Sequence, residues 1–239
     1  MNETPTQKIQ KDFDRIALLE PAQWDHNSHY HGFLLKQIPS ACESILEIGC
    51  GTGVFTRLLA ERCKRVVAID LSPKMIEVAQ RQSGDYTNIN FQVADILHWE
   101  FAVEQFDVIA SIATVHHLPV ENLLPDLKGA LKPGGKLVIL DLLKSESIQD
   151  TLSDLIAVPL NLIFKILKNR RIKPSQEAVE AWREHGRTDN YLTLSQAKQI
   201  YTHFLPGVNV RRHLFWRYSV VWEKSLHNMG RQDAYPTRV

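Results

Sequence analysis

Cysteine is scarce in this 239-residue chain. Cys42, Cys50 and Cys63 are too few and too irregularly spaced for a disulfide framework, and no second Cys/His pair completes a zinc spacing. The expectation is a reducing, cytoplasmic setting and no metal. An excess of one charge is lacking too: twenty-eight Lys and Arg face twenty-seven Asp and Glu, a formal charge of +1. That excludes a global field for nucleic acid or an anionic membrane and leaves such contacts to local patches. No apolar run reaches bilayer-spanning length, and the polar opening, Met1 to Lys8, has no signal-peptide core. Internal repeats are absent. Against these absences stands a hydrophobic content of 44%, ample for one core, with room for an inserted cap.

The chain also lacks the dinucleotide fingerprint Gly-x-Gly-x-x-Gly. Three positions beyond Gly51 stands Val54, and Gly53 arrives one residue early, which weakens a nicotinamide or flavin reading. What is there instead is Ser44-Ile45-Leu46-Glu47-Ile48, a strand-length run, then Gly49-Cys50-Gly51-Thr52-Gly53, then Val54 to Ala60. This reads as strand, tight turn, helix. A missing Cβ lets a ligand lie against the backbone, and the free N–H groups of the helix start favour an electronegative group.

Arg65 to Ile69 reads as a second buried parallel strand ending at Asp70, twenty-one residues beyond Gly49. A βαβ unit places a carboxylate there to accept hydrogen bonds from ribose hydroxyls. Ser72-Pro73 should cap and start a helix with Met75, Ile76, Val78 and Ala79 on its apolar face. Asn90 to Ile96 forms a third strand closing on Asp95, and a parallel sheet brings Asp70 and Asp95 to one rim with the glycine turn; Asp95 could equally cap a turn. A fourth strand, Phe106 to Ile112, runs into Ala113-Thr114-Val115-His116-His117-Leu118-Pro119. A helix over Asn122–Leu131, the break Lys132-Pro133-Gly134-Gly135, and a fifth strand, Lys136 to Leu140, ending at Asp141, complete the core.

Together Glu47-x-Gly49-x-Gly51-x-Gly53, the two strand-end carboxylates and Leu131-Lys132-Pro133-Gly134-Gly135-Lys136 resemble the class I S-adenosylmethionine-dependent methyltransferases of small molecules (methyltransferase type 11/12-like), over residues 44–143. The resemblance implies a doubly wound, Rossmann-like α/β fold: a seven-stranded, mostly parallel sheet with an antiparallel closing strand. It implies S-adenosylmethionine as cofactor, held by Tyr30, Glu47, Gly49, Cys50, Gly51, Gly53, Asp70, Leu71, Met75, Asp95, Ile96, Ser111 and Ile112. Leu71 and Met75 would contact adenine, although Met75 could simply be core.

Domain organisation is expected as an N-terminal helical cover (1–40), the cofactor-binding core (41–143), a helical cap (144–193), a closing helix and β-hairpin (194–226) and a flexible tail (227–239). The cover carries apolar Ile9, Phe13, Ile16, Ala17 and Leu18 at helical spacing, then Trp24, His26, His29, Tyr30 and His31, with a short helix over Phe33–Ile38. The three histidines do not share a helical face, so a metal is not expected; Trp24, His31 and His116 are candidate substrate contacts. The cap's apolar face, Leu152, Leu155, Ile156, Leu160, Ile163, Phe164 and Leu167, is interrupted by Pro159 and followed by the basic Lys165, Lys168, Arg170, Arg171 and Lys173. It is a lid helix or a membrane-surface or anion-gripping element.

The expected activity is in-line methyl transfer to a small molecule, with O, N, C and S acceptors all open. Alternatives are a membrane-associated lipid or quinone, RNA or protein as substrate, and a non-catalytic cofactor-binding partner subunit. His116 or His117 could accept the acceptor's proton, or could cap the next helix or pack under the lid. Two adjacent side chains of an extended segment cannot both face a pocket, so one of the pair is expected to act.

Overall fold

The computed structural model describes residues 4–19, 25–146, 157–161, 163, 167, 175–187 and 189–226. Trp24, most of the cap's apolar stripe, its basic cluster and the tail therefore lie outside the described residues. Seven strands form one sheet: β1 (Cys42–Ile48), β2 (Cys63–Asp70), β3 (Ile89–Val93), β4 (Phe106–Ile112), β5 (Leu131–Leu142), β6 (Asn209–His213) and β7 (Arg217–Glu223). Their order is β3-β2-β1-β4-β5-β7-β6; the first five run parallel and β7 is antiparallel to both neighbours. This is the doubly wound, mostly parallel arrangement with a closing antiparallel strand. The hairpin enters the sheet through its second strand. The turn between β6 and β7 starts after His213, with Phe215 and Trp216 at φ 58° and 55°. Arg217 Nη1 donates to both carbonyls of that left-handed pair.

Alternation along each strand splits the core between two faces. On one, Leu46, Ile48, Val67 and Ile69 pack with α5 (Val120–Ala130) and the helix Leu194–Phe204; on the other, Ile45, Val66, Ala68 and Val108 pack with α2 (His31–Leu35), α3 (Val54–Ala60) and α4 (Pro73–Gln82). Ser72 caps α4 through its hydroxyl, with Pro73 in the first turn, as its sequence suggests. β5 already begins at Leu131, so the Lys-Pro-Gly-Gly segment is strand rather than a break before it.

The N-terminal helix α1 (Pro5–Ile16) starts at a Thr4–Gln7 capping box. It lies against α6 (Gln176–His185), with Arg15 Nη1 2.8 Å from Glu184 Oε2, and against α4. Cover and inserted segment thus meet each other, not only the core. Of the cap's stripe, Leu160 is half-buried, while Ile163 and Leu167 are exposed instead of packed on the core. The last helix, α7 (Leu194–Phe204), is capped by Thr193. Among the described residues no helix is long and apolar enough to cross a membrane.

Candidate active site

The parallel strands end on one rim, where three glycines take left-handed conformations: Gly49, Gly51 and Gly53 have φ of 72°, 52° and 76°. Two of them differ in what they require. A Cβ on Gly49 would fall inside the Thr114 side chain, so this glycine lets the turn after β1 touch the loop after β4; a Cβ on Gly51 would meet nothing within 4 Å. Among the described residues Gly51 thus borders open space, and its N–H donates to Asp70 Oδ2 at 2.8 Å. Asp70 Oδ1 accepts from Ser72 N at 2.9 Å, so each oxygen keeps capacity for a further donor. Burial pushes the Asp70 carboxyl up, against the pull of those N–H groups.

Glu47, 2% exposed on β1, has Oε2 without a hydrogen-bond partner among the described residues, and burial raises its carboxyl to about 8. An orphaned buried carboxylate oxygen and an open cradle beside Gly51 fit a ligand that brings both a cation and hydroxyls. Cys50 is buried beside Tyr30 and Phe55 in one apolar cluster, with Ile112 packed at its edge. The Tyr30 hydroxyl donates to the Leu214 carbonyl at 2.8 Å, and burial raises it to about 12. Leu71 is half-buried next to Asp70.

Other expected contacts also engage groups within the protein. Met75 packs with Ile16, Ala17 and Ala181, its core alternative. Asp95 caps the turn Ile96–His98, with Oδ1 accepting from Leu97 N and Oδ2 lying 3.1 Å from His98 Nδ1, and Ile96 is core. The Ser111 hydroxyl donates to the Ile48 carbonyl inside the sheet, leaving only its backbone to a ligand. His31 lies against Phe55 of α3, their ring centroids 5.0 Å apart.

After β4, Ala113 turns the chain at φ 51° and Val115–His117 forms a 3-10 turn. This overturns the extended-segment premise: the tight turn brings both imidazoles inward, their centroids 3.9 Å apart. His116 Nδ1 lies 2.7 Å from Asp141 Oδ1 at the end of β5, both side chains at 5% exposure or less. His117 faces Asp189 Oδ1 at 3.6 Å and is packed by Phe13 and His185. Burial, then the neighbouring His116, hold His117 down at about 3, so it is neutral near pH 7 and a poor proton acceptor.

Asp189, Tyr191, His185 and Asp12 complete this cluster. Tyr191 Oη donates to Asp189 Oδ2 at 2.5 Å, and His185 Nδ1 is 3.5 Å from Asp12 Oδ2. Sequence reasoning missed all four, for they sit in a loop and on two helix faces far apart in the chain. It also missed Arg217, buried where β7 begins, its guanidinium lowered by burial and held charged by Asp141.

Residues 46–139 match the family model described as a methyltransferase domain. An uncharacterized methyltransferase of Mycobacterium tuberculosis is 28% identical over 203 residues, 83% of this chain and 96% of that one. A ubiquinone biosynthesis O-methyltransferase of Coxiella burnetii is 30% identical over 44% of this chain and 46% of its own length. Among solved structures, the N-methyltransferase NodS of Bradyrhizobium japonicum, in complex with S-adenosylhomocysteine, shares the fold at a TM-score of 0.54 and 18% identity, over 93% of this chain and 99% of that one.

Proposed function

For a chain that belongs to the class I S-adenosylmethionine-dependent methyltransferases, the open term is the acceptor, and we propose a small molecule whose reacting group meets the methyl at the His116 end of β4. One observation carries this reading. His116 and Asp141 are nearly fully buried at the rim, where Phe13 of α1 and His185 of α6 cover His117 beside them, a covered position that suits a small acceptor better than a folded macromolecule. The quinone-related name of the Coxiella relative makes phenols and quinols part of the acceptor class to be tried.

When bound, S-adenosylmethionine supplies a methyl already activated on a sulfonium. The chain therefore contributes position, exclusion of water and a place for a proton. Asp70 would accept hydrogen bonds from the ribose, Glu47 would offer its unpartnered Oε2 to the ammonium group, and Gly51 would leave room for the methionine end. His116 Nε2 would take the proton that the acceptor loses on methylation, while Asp141 holds the ring by Nδ1 and would stabilise the cation formed.

The test follows S-adenosylhomocysteine release with a panel of phenols, quinols, amines and thiols. On any acceptor that turns over, His116→Ala should lower kcat about 10²-fold or more, with S-adenosylmethionine affinity by calorimetry nearly unchanged. Near-normal kcat in that variant removes the proton-acceptor role. Cofactor binding without turnover of any acceptor would favour a binding subunit.

A further inference from the structure

We propose that His116, His117 and Asp189 form a binding site for one divalent transition-metal ion of the zinc and cobalt kind. One donor atom from each lies within 4.8 Å of the others. Their side chains are 5%, 7% and 3% exposed. Ligands at about 2.0–2.2 Å from a tetrahedral ion stand roughly 3.3–3.6 Å apart. His117 Nδ1 and Asp189 Oδ1, at 3.6 Å, already have that spacing; it is too long for a hydrogen bond between them. His185 Nε2, 3.8 Å from the same oxygen, stands where a fourth donor would come from.

The surroundings argue against a purely structural network. Such a network would close its own hydrogen bonds, yet Asp189 Oδ1 is buried with no hydrogen-bond partner among the described residues. Outer partners are in place instead. Asp141 holds His116 by Nδ1 and so leaves Nε2 to ligate, and Tyr191 holds Asp189 by Oδ2 and so leaves Oδ1. Metal-bound imidazoles and carboxylates are commonly fixed in this way through their far atoms. Two imidazoles and one carboxylate suit zinc, cobalt or iron(II); magnesium and calcium prefer all-oxygen sets.

The consequence for catalysis rests on the function proposed above. His116 Nε2 cannot hold a metal and the acceptor's proton together, so occupancy of the site and turnover exclude each other.

The test uses the full chain after chelator treatment. Co²⁺ should give the visible absorption of a tetrahedral or five-coordinate nitrogen–oxygen site at one equivalent, and Zn²⁺ should displace it. Asp189→Asn and His117→Gln should each weaken Zn²⁺ binding by at least about 10-fold, the lower end of what even an outer-shell change costs. Both should keep S-adenosylmethionine affinity. No uptake of Co²⁺ or Zn²⁺ by the wild-type chain, or unchanged affinity in both folded variants, overturns the site. Zn²⁺ that stops turnover, reversed by chelator and blunted in Asp189→Asn, supports it in full. Zn²⁺ bound at these residues with turnover undiminished leaves the site standing and removes His116 as the proton acceptor.

Discussion

Glu47 lies on β1 two residues before the first glycine of the turn, almost fully buried, with its carboxyl raised from 4.5 to about 8. A carboxyl whose folded value is raised keeps its proton in the fold and loses it on unfolding. Between pH 4.5 and 8 the unfolded chain therefore binds fewer protons, and stability falls as pH rises through that window. Glu47→Gln removes the titration. At pH 5 its melting temperature should match the wild type's closely; at pH 8, without cofactor, the variant should be the more stable by about 3–4 kcal/mol. It should bind S-adenosylmethionine more weakly, because an amide cannot give up a proton to pair as a carboxylate with the ammonium group. Thermal unfolding at the two pH values checks this, and parallel curves would show that the carboxyl is ionised throughout. The glycine turn and Asp70 were legible in the sequence because the physics there is local, a spacing of a few residues within one βαβ unit. Asp189 and Arg217 were not, since no periodicity marks a loop aspartate or a strand-start arginine that matters only through long-range contacts.

Among the elements, α1 is the one whose docking bears most on the site. Asp14 Oδ1 accepts the Ser72 hydroxyl at 2.5 Å and Lys74 N at 3.1 Å, so a residue of α1 adds to the cap of α4 directly beside Asp70. Arg15 and Glu184, by contrast, form an exposed pair of the kind worth little. Asp14→Ala should loosen α1 by about 1–2 kcal/mol, seen as roughly 5- to 30-fold faster amide exchange over residues 5–16, whereas Arg15→Ala should change it less than about twofold. Equal effects from the two would place the docking in the apolar contact of Phe13, Ile16 and Ala17 alone. The helix itself could be read from its apolar spacing, and the Thr4 capping box sets its start at Pro5. That it rests on α6, and that the pair of histidines enters together on a 3-10 turn, depends on packing that no single segment encodes.

Across the whole molecule the sheet separates chemistry from support. The groups proposed to bind ligand gather where the parallel strands end, and the opposite rim is tied by Asp107, whose Oδ2 accepts from Glu43 N, Ser44 N and the Ser44 hydroxyl and lies 2.9 Å from Lys132 Nζ. Burial works against this carboxylate, but Lys132 and the Ser44 donors outweigh it and hold it below the usual carboxylate range. A lowered carboxyl contributes stability that is present above the unfolded value and is lost as pH falls through the folded one. Asp107→Ala should therefore cost about 2–3 kcal/mol at neutral pH, roughly 4–10 °C in melting temperature for a chain of this size, and less in acid. Its S-adenosylmethionine affinity should stay within about twofold. Asp70→Ala should do the reverse. Its two backbone partners are lost, but so is a carboxylate that burial destabilises, so stability changes little. The ribose hydroxyls would be left unmet, and affinity should fall about 10- to 100-fold. Calorimetry and thermal unfolding on the two variants measure the crossing, and an equal loss of affinity in both would mean that the two rims are coupled through β1 and β4 and do not act apart.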